Sequence, residues 1–318
     1  MFSIIIPNYN KKDYLEESIN SVKNQSYINW ECIIIDDNSN DNSVELIKKI
    51  TVNDPRFKLI CLNENKGANY CRNLGFKHSK YDWIIFLDSD DIISINCLFS
   101  RLEFLKTYKY LDFLVFPTAT FYKQIGDNKL VWNNYYGNHL NRFLSHDLPW
   151  LICSILWSKH ILKKLNCFDE NLLRLQDVDL HTRALMIKDI KYKTFIDYKS
   201  DVFYRIDENR ILNHFEFLKK DIRAKLSFIS KFKEIVHKRE KYLKGTYFEC
   251  FNNIFSFYSN ELISKQELIS LNKFIFENSS FLELNYFDHI ILKLYLFIRK
   301  FKFYLRGMNK LFKAILIR

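Results

Sequence analysis

Hydrophobic and polar positions in the first hundred residues follow two alternating periods. FSIIIP (2–7) is a short run typical of a buried strand, whereas YLEESINSVKNQ (14–25) sets Leu15, Ile19 and Val22 along one helical face. The two signals then repeat. Strands are expected at WECIIID (30–36), FKLICL (57–62), YDWIIFL (81–87) and LDFLVFP (111–117). Helices are expected at SVELIKKI (43–50, with Asp41 and Ser43 as caps), ANYCRNLGFKH (68–78) and 96–109. Strands that alternate with helices and are apolar on both sides predict an α/β fold, a mainly parallel sheet with helices on both faces.

From about residue 118 the pattern changes. Residues 120–140 read as a hairpin turning at Gly126-Asp127-Asn128. LPWLICSILW (148–157) is strand-like and precedes a short helix at 159–165. An acidic loop runs into a helix across 168–188, and KYKTFID (191–197) reads as a strand. Beyond Arg205 strand signals stop and helical stretches run to the end. The expected division is therefore 1–205, an α/β domain, and 206–318, a helical region.

Composition narrows the class. An apolar share of 48% with only 6 Gly and 4 Pro describes a folded chain without low-complexity tracts. The seven cysteines form no CxxC pair, which predicts reduced thiols in a cytoplasmic protein. MFSIIIPNYN has no basic leader, and no uncharged run approaches the roughly 20 residues that span a bilayer. The net charge of +11 is uneven: residues 1–204 carry 26 Lys/Arg against 25 Asp/Glu, whereas 205–318 carry 22 against 12. The excess positive charge thus lies in the C-terminal third, which predicts separate partners for the two parts.

In sheets of this kind ligands bind beyond the carboxyl ends of the strands. Here those ends read Pro7-Asn8-Tyr9-Asn10, Asp36-Asp37-Asn38-Ser39 and Asp88-Ser89-Asp90-Asp91. Helix capping and turn chemistry explain one Asp-Asp pair. Three carboxylates in four residues, with a second pair on another strand, ask for a cation. A hard divalent ion held by one or two carboxylates and a substrate's phosphates satisfies that demand. Neither GxxxxGK[ST] nor GxGxxG is present, so a P-loop enzyme and a dinucleotide dehydrogenase are not indicated.

Five segments in order resemble glycosyltransferase family 2, inverting enzymes of the A-type nucleotide-sugar fold: SIIIPNYN, IIIDDNSNDNS, NENKGANYCRNLGF, WIIFLDSDD and CFDENLLRLQDVDLHTRAL. The resemblance covers residues 1 to about 205. It implies a nucleotide-sugar site made by Pro7, Tyr9, Asp36, Asp37, Arg72, Asp88 and Ser89, with Asp37 accepting the uracil imide N–H of a UDP-sugar. It further implies Mn²⁺ or Mg²⁺ on Asp90, with Asp91 as competitor, and a single general base at Asp177. Where the family has Glu-Asp, this chain has Gln176-Asp177, which removes one neighbouring charge that would raise the base's pKa. Asp179 is the alternative base, expected instead to pair with Arg183 on the helix surface; His181, at i+4 from Asp177, is placed to orient it. Trp150 and Trp157 read as core residues first and as acceptor-stacking residues second.

Between His289 and Arg318 stand eight Lys/Arg and no acidic residue. Apolar residues at 287, 291, 294, 298, 301, 305, 308, 312 and 315 alternate by threes and fours, with Arg299, Lys302, Arg306, Lys310 and Lys313 opposite. This predicts a basic amphipathic helix at an anionic membrane surface, the alternatives being packing within the chain or against a second subunit. A nucleic-acid partner is not expected, because the acidic cleft repels phosphate.

The resulting expectation is a metal-dependent enzyme on the inner face of the plasma membrane. It would move a hexose from a UDP-sugar to a glycan or lipid-linked glycan hydroxyl in bacterial surface polysaccharide synthesis, such as lipopolysaccharide or capsule. A nucleotidyltransferase and an inactive sugar-binding scaffold are the rivals. IPNYNKKDYL has no glycine, against the first; Gln176 is the feature that favours the second.

Overall fold

The expected alternation is present in the computed structural model, which describes residues 1–132, 137–207, 213–280, 282–300, 305 and 307–318. In chain order the elements are β1 (Phe2–Asn8), α1 (Lys12–Lys23), β2 (Trp30–Asp36), α2 (Ser43–Thr51), β3 (Phe57–Cys61), α3 (Ala68–His78), β4 (Trp83–Phe86) and β5 (Ile92–Ile93). Then come α4 (Cys97–Tyr108), β6 (Phe113–Val115), β7 (Thr118–Phe121), β8 (Val131–Trp132), α5 (His139–Leu144), β9 (Ile155–Ser158), α6 (Lys159–Lys164), α7 (Gln176–Met186), β10 (Tyr192–Thr194) and β11 (Val202–Arg205). The helices α8 (His214–Lys233), α9 (Leu243–Ser259), α10 (Lys265–Glu277), α11 (Tyr286–Lys300) and α12 (Met308–Ile317) follow.

The chain forms two compact units. The first comprises Met1–Gly137, Pro149–Leu172 and Gln176–Glu208; the second comprises Asn138–Leu148, Leu173–Leu175 and Asn209–Arg318.

In the first unit a seven-stranded sheet has the order β10-β6-β9-β4-β1-β2-β3. β1 runs parallel to β2 and β4, and β9 runs antiparallel to β4 and β6, so the sheet is mixed as well as mainly parallel. The unbroken apolar runs have a direct cause. On β2, Cys32 and Ile34 pack with Leu15, Ile19 and Val22 of α1, while Ile33 and Ile35 pack with Cys71 of α3 on the opposite face. Each such side chain contributes about 1.5–3 kcal/mol by leaving water. Gly75 lets α3 lie close on β1, since a Cβ there would run into the Ile5 side chain.

A second sheet, β5-β11-β7-β8, starts directly after the acidic turn. β7 and β8 form the expected hairpin, paired Thr118 with Trp132 and Ala119 with Val131. Its turn is fixed by Asp127, whose carboxylate accepts from the amides of Tyr122, Lys123 and Gln124. Residues 133–136, within the expected hairpin, lie outside the described residues.

Two expectations change. The run 148–157 is a strand only from Ile155, because Ile152–Ser154 forms a single 3₁₀ turn closed by the Leu151 amide on Ser154 Oγ at 3.2 Å. VFYR, not expected as a strand, is β11, pairing with β5 and β7.

In the second unit α8 buries Leu218, Ile222, Leu226 and Ile229 along one face. Within that interior Lys225, fully buried, meets Asp221 at 2.5 Å. The single basic helix expected from 287 to 315 is not continuous. Among the described residues it is α11 and α12, with Gly307 at φ +87° as the N-cap of the second. Phe301, Lys302 and Arg306 lie outside the described residues. The faces also differ from the expected ones. Asp288, Ile291, Leu292, Tyr295 and Arg299 turn inward, and Phe287, Ile290, Leu294 and Phe297 turn to solvent. Arg299, expected on a solvated face, lies over the Phe255 ring at 5.6 Å, and Lys313 pairs with Glu249 at 2.8 Å. The inward polar groups at 288 and 299 shift the buried face by one position from the apolar repeat.

Candidate active site

Parallel register brings the carboxyl ends of β1, β2 and β4 side by side. The turn after β1 is bonded to the turn after β2. Asn8 Nδ2 donates to Asp36 at 2.8 Å, the Asn10 amide to Ser39 Oγ at 3.0 Å, the Asn40 amide to Asn10 Oδ1 at 2.9 Å, and the Lys12 amide to Asp41 at 2.9 Å. Asn10 adopts φ +50°, a left-handed conformation that asparagine tolerates. Asp36 is buried and also accepts from the Ser39 amide. Asp37, buried as well, uses one oxygen for the Lys66 amide (2.7 Å) and the other for the Gly67 amide (2.8 Å). Pro7 is buried in β1, and Tyr9 stands half exposed beside it.

Gly67, at φ +87°, is the N-cap of α3. One face of that helix, Asn69, Arg72 and Asn73, carries the next set of contacts. Arg72 donates to Asp88 at 2.6 Å; its guanidinium is buried, whereas the Asp88 carboxylate is 30% exposed. Asn69 Nδ2 donates to the carbonyls of Asp169 and Leu172 at 2.9 and 2.7 Å. Asn73 exchanges hydrogen bonds with the Phe168 backbone, donating at 2.9 Å and accepting at 3.0 Å, and donates to Glu170 at 2.7 Å. The helix therefore fixes both the acidic turn and the loop that leads toward Asp177.

The three carboxylates after β4 diverge. Asp88 faces Arg72. Asp90 meets the Lys11 ammonium at 2.7 Å. Asp91 turns inward, is fully buried and accepts from the Arg205 amide at 3.0 Å. Burial, with Asp90 and Asp88 adding like charge, pushes the Asp91 carboxyl well above the usual aspartate range. Ser89 is buried between them.

Asp177 is half-buried in the first turn of α7 and accepts from the Val178 amide at 2.9 Å. Burial raises its carboxyl above the ordinary aspartate value; the Val178 amide and then Arg72 pull it down, and Asp88 adds a push upward. The raised value thus has a source other than the neighbouring glutamate that Gln176 replaces. Asp179 does pair with Arg183, at 2.7 Å, but inside the protein rather than on the helix surface. Arg183 also donates to the carbonyls of Leu165 and Cys167. His181 is a buried residue. It stacks on Trp157 at 5.9 Å, and burial lowers its pKa to about 3. Trp150 and Trp157 are buried, so the core reading holds for both.

Lys11, Asn69, Asn73, Asp207 and Arg205 were missed as site residues. For Asn69 and Asn73 a signal existed: at i and i+4 they share the helix face of Arg72. Asp207, 3.8 Å from the Lys11 ammonium, and Arg205, whose Nε donates to the Asp90 carbonyl, carry no comparable local signal.

The donor set is oxygen from carboxylates, which suits a hard divalent cation. Among the described residues no three His, Cys, Asp or Glu side chains converge as a cage. An ion here would therefore draw on Asp90, with Asp88 near it, and complete its shell from phosphate and water. A lysine ammonium on Asp90 shows that this carboxylate accepts a cation.

This mixed sheet, with acidic turns at the carboxyl ends of its parallel strands, is a glycosyltransferase-like α/β architecture. The description "Glycosyl transferase family 2" matches residues 3–164, half of the sequence, and the chain belongs to that family. The minor teichoic acid biosynthesis protein GgaA of Bacillus subtilis is 33% identical over 216 residues, 64% of this chain and 47% of that protein. The UDP-Glc:alpha-D-GlcNAc-diphosphoundecaprenol beta-1,3-glucosyltransferase WfgD of Escherichia coli is 42% identical over 98 residues, 31% of this chain and 38% of that one. The chain thus spans less than half the length of these relatives. Among solved structures, S. aureus TarS 1–349 in complex with UDP-GlcNAc superposes with a TM-score of 0.64 at 17% identity, over 99% of this chain and 88% of that one; the likeness is one of fold.

Proposed function

We propose that the chain is a metal-dependent inverting glycosyltransferase. It moves a sugar from a UDP-sugar to a hydroxyl of a glycan or lipid-linked glycan in bacterial surface polysaccharide synthesis. The observation that carries this reading is the single face of α3. Arg72 holds the donor-side carboxylate Asp88, while Asn69 and Asn73 hold the loop that leads toward the candidate base. The UDP-Glc donor and diphosphoundecaprenol-linked acceptor that name the E. coli relative support the choice of UDP and of a glycan carrier.

In this reading Pro7 and Tyr9 flank the nucleobase. Asp37 accepts the uracil imide N–H through lone pairs left over from the Lys66 and Gly67 amides, and Asp36 stiffens the turn beneath. Asp88 and Ser89 contact the ribose or sugar. Asp90, nearer solvent than Asp91, holds Mn²⁺ or Mg²⁺; Asp91 serves as an interior tie to Arg205. When bound, the ion places positive charge where the departing diphosphate becomes more negative.

Asp177 takes the proton from the acceptor hydroxyl as that oxygen attacks the sugar's anomeric carbon. The bond to UDP breaks on the opposite face, and one base suffices for one inversion. A carboxyl raised by burial is a better proton acceptor than an ordinary aspartate, so the Gln176 exchange leaves the base intact.

Among the described residues no helix is long and apolar enough to cross a membrane. The outward stripe Phe287, Ile290, Leu294 and Phe297, with Lys293 exposed on the same helix, supports placement on the anionic inner surface of the plasma membrane, where lipid-linked acceptors reside. The test of the catalytic reading is UDP release from a panel of UDP-sugars with Mn²⁺, with and without acceptor. Release that Asp177→Asn sustains at the wild-type rate removes Asp177 as the base. Release from no UDP-sugar removes the donor class.

A further inference from the structure

Lys11 sits in the turn after β1, and nothing so far uses its charge. Its ammonium lies 2.7 Å from Asp90 and 3.8 Å from Asp207, about 5.3 Å from the Tyr14 ring, and its side chain is 22% exposed. The neighbouring carboxylates have other partners. Asp88 is held by Arg72, Glu17 by Arg205, and Asp91 by the Arg205 amide. Asp90 is therefore neutralised by Lys11, at the position where a divalent ion would have to bind.

From this geometry we propose that Lys11 is an internal counter-cation that competes with the divalent ion for Asp90, moves toward Asp207 when the ion binds, and there meets the donor's diphosphate. The inference rests on the metal site proposed above.

Two features make the exchange feasible. The backbone around Lys11 is pinned on both sides, by Asn8 and Asn10 to the second acidic turn and by the Lys12 amide to Asp41. The Lys11 carbonyl also accepts the Tyr14 and Leu15 amides. The four-carbon stem is thus the moving part, and the ammonium can change partner without a change of backbone. Asp207 offers the second partner at once, since it already lies within ion-pair reach. Without Lys11, Asp90 and Asp207 would lose the ammonium that lies within reach of both. With a fixed arginine there, the bidentate grip on carboxylate would be harder to displace.

The competition has a measurable sign. Mn²⁺ binding to the nucleotide-free protein, read from the electron paramagnetic resonance signal of free Mn²⁺, should tighten roughly three- to tenfold in Lys11→Met, because no ion pair has to be broken. UDP binding without metal, read by calorimetry, should weaken roughly tenfold in the same variant, as one charge-assisted contact is lost. Lys11→Arg should bind Mn²⁺ no more tightly than wild type. Asp207→Asn should weaken Mn²⁺ binding, and the effect should vanish in the Lys11→Met background, where no ammonium needs a new partner. Thermal melts of each variant exclude loss of fold as the cause.

Mn²⁺ affinity unchanged or weaker in folded Lys11→Met overturns the proposal while leaving the metal site standing. Wild-type protein that binds UDP but no Mn²⁺ overturns the metal site and this inference together.

Discussion

Arg72 and Asp88 form an ion pair of 2.6 Å in which the cation is buried and the anion reaches the site. Arg72 also lowers the carboxyl of Asp177 electrostatically, although burial prevails and the net shift is upward. One guanidinium therefore acts on both ends of the proposed reaction. Arg72→Met should weaken UDP-sugar binding by about tenfold or more, since the Asp88 carboxylate loses its fixed partner. It should also move the acid limb of the kcat/KM profile to higher pH, because removing a positive charge makes Asp177 hold its proton longer. A pH series on purified variant and wild type checks both.

Asp177 sets activity against stability. Its folded carboxyl binds a proton more readily than the unfolded one, so protein stability falls as pH rises through the raised value. Asp177→Asn removes that loss. The variant should lose about 10²- to 10⁴-fold in turnover, the usual contribution of a general base. Yet it should melt at a higher temperature than wild type at neutral pH, with the gap closing below the ordinary aspartate value, where both forms are uncharged. Circular dichroism melts at several pH values decide the point.

Asp90 and Asp91 are adjacent but differ in placement, one at the site with Lys11 and one buried with the Arg205 amide. Asp90→Asn should abolish Mn²⁺ binding, whereas Asp91→Asn should retain it. Chelation should stop transfer by the wild type, and added Mn²⁺ should restore it. Equal loss of Mn²⁺ binding in both variants, with both folded, would make the two carboxylates joint ligands.

On α11 the outward residues Phe287, Ile290, Leu294 and Phe297 should carry membrane binding. Replacing Phe287, Leu294 and Phe297 together by Ser should reduce sedimentation with phosphatidylglycerol-rich vesicles roughly 100-fold or more, given about 1.5–3 kcal/mol for each apolar side chain. Binding that survives the triple change places the contact elsewhere or on a second subunit.

Legibility in the sequence followed the reach of each interaction. The strands through residue 87 were readable because sheet burial on both sides leaves an unbroken apolar run, as in Ile33 to Ile35. β11 was not, since its four residues pair with strands about 80 and 110 positions earlier and alternate too briefly to signal. The acidic turns were legible as carboxylates gathered at the strand ends. That Asp91 accepts from the Arg205 amide while Asp90 meets Lys11 could not be read locally, because Arg205 is remote in sequence. His181 had the right helical spacing for a base-orienting role. Spacing cannot reveal that Trp157 covers its ring. The terminal repeat did not show which of its apolar residues are covered: Ile291, Met308 and Phe312 are buried beside the polar Asp288 and Arg299, whereas Phe287 and Leu294 are exposed.

Asp37 binds the two amides at which α3 begins, and α3 carries the side chains that hold Asp88 and the 168–172 loop. In the proposed reading, a change at the nucleobase end would pass along α3 to the acceptor end. Lineages that alter the nucleotide preference through Asp37 would disturb acceptor geometry as well, so donor and acceptor selectivity in this chain should evolve as linked traits rather than one at a time.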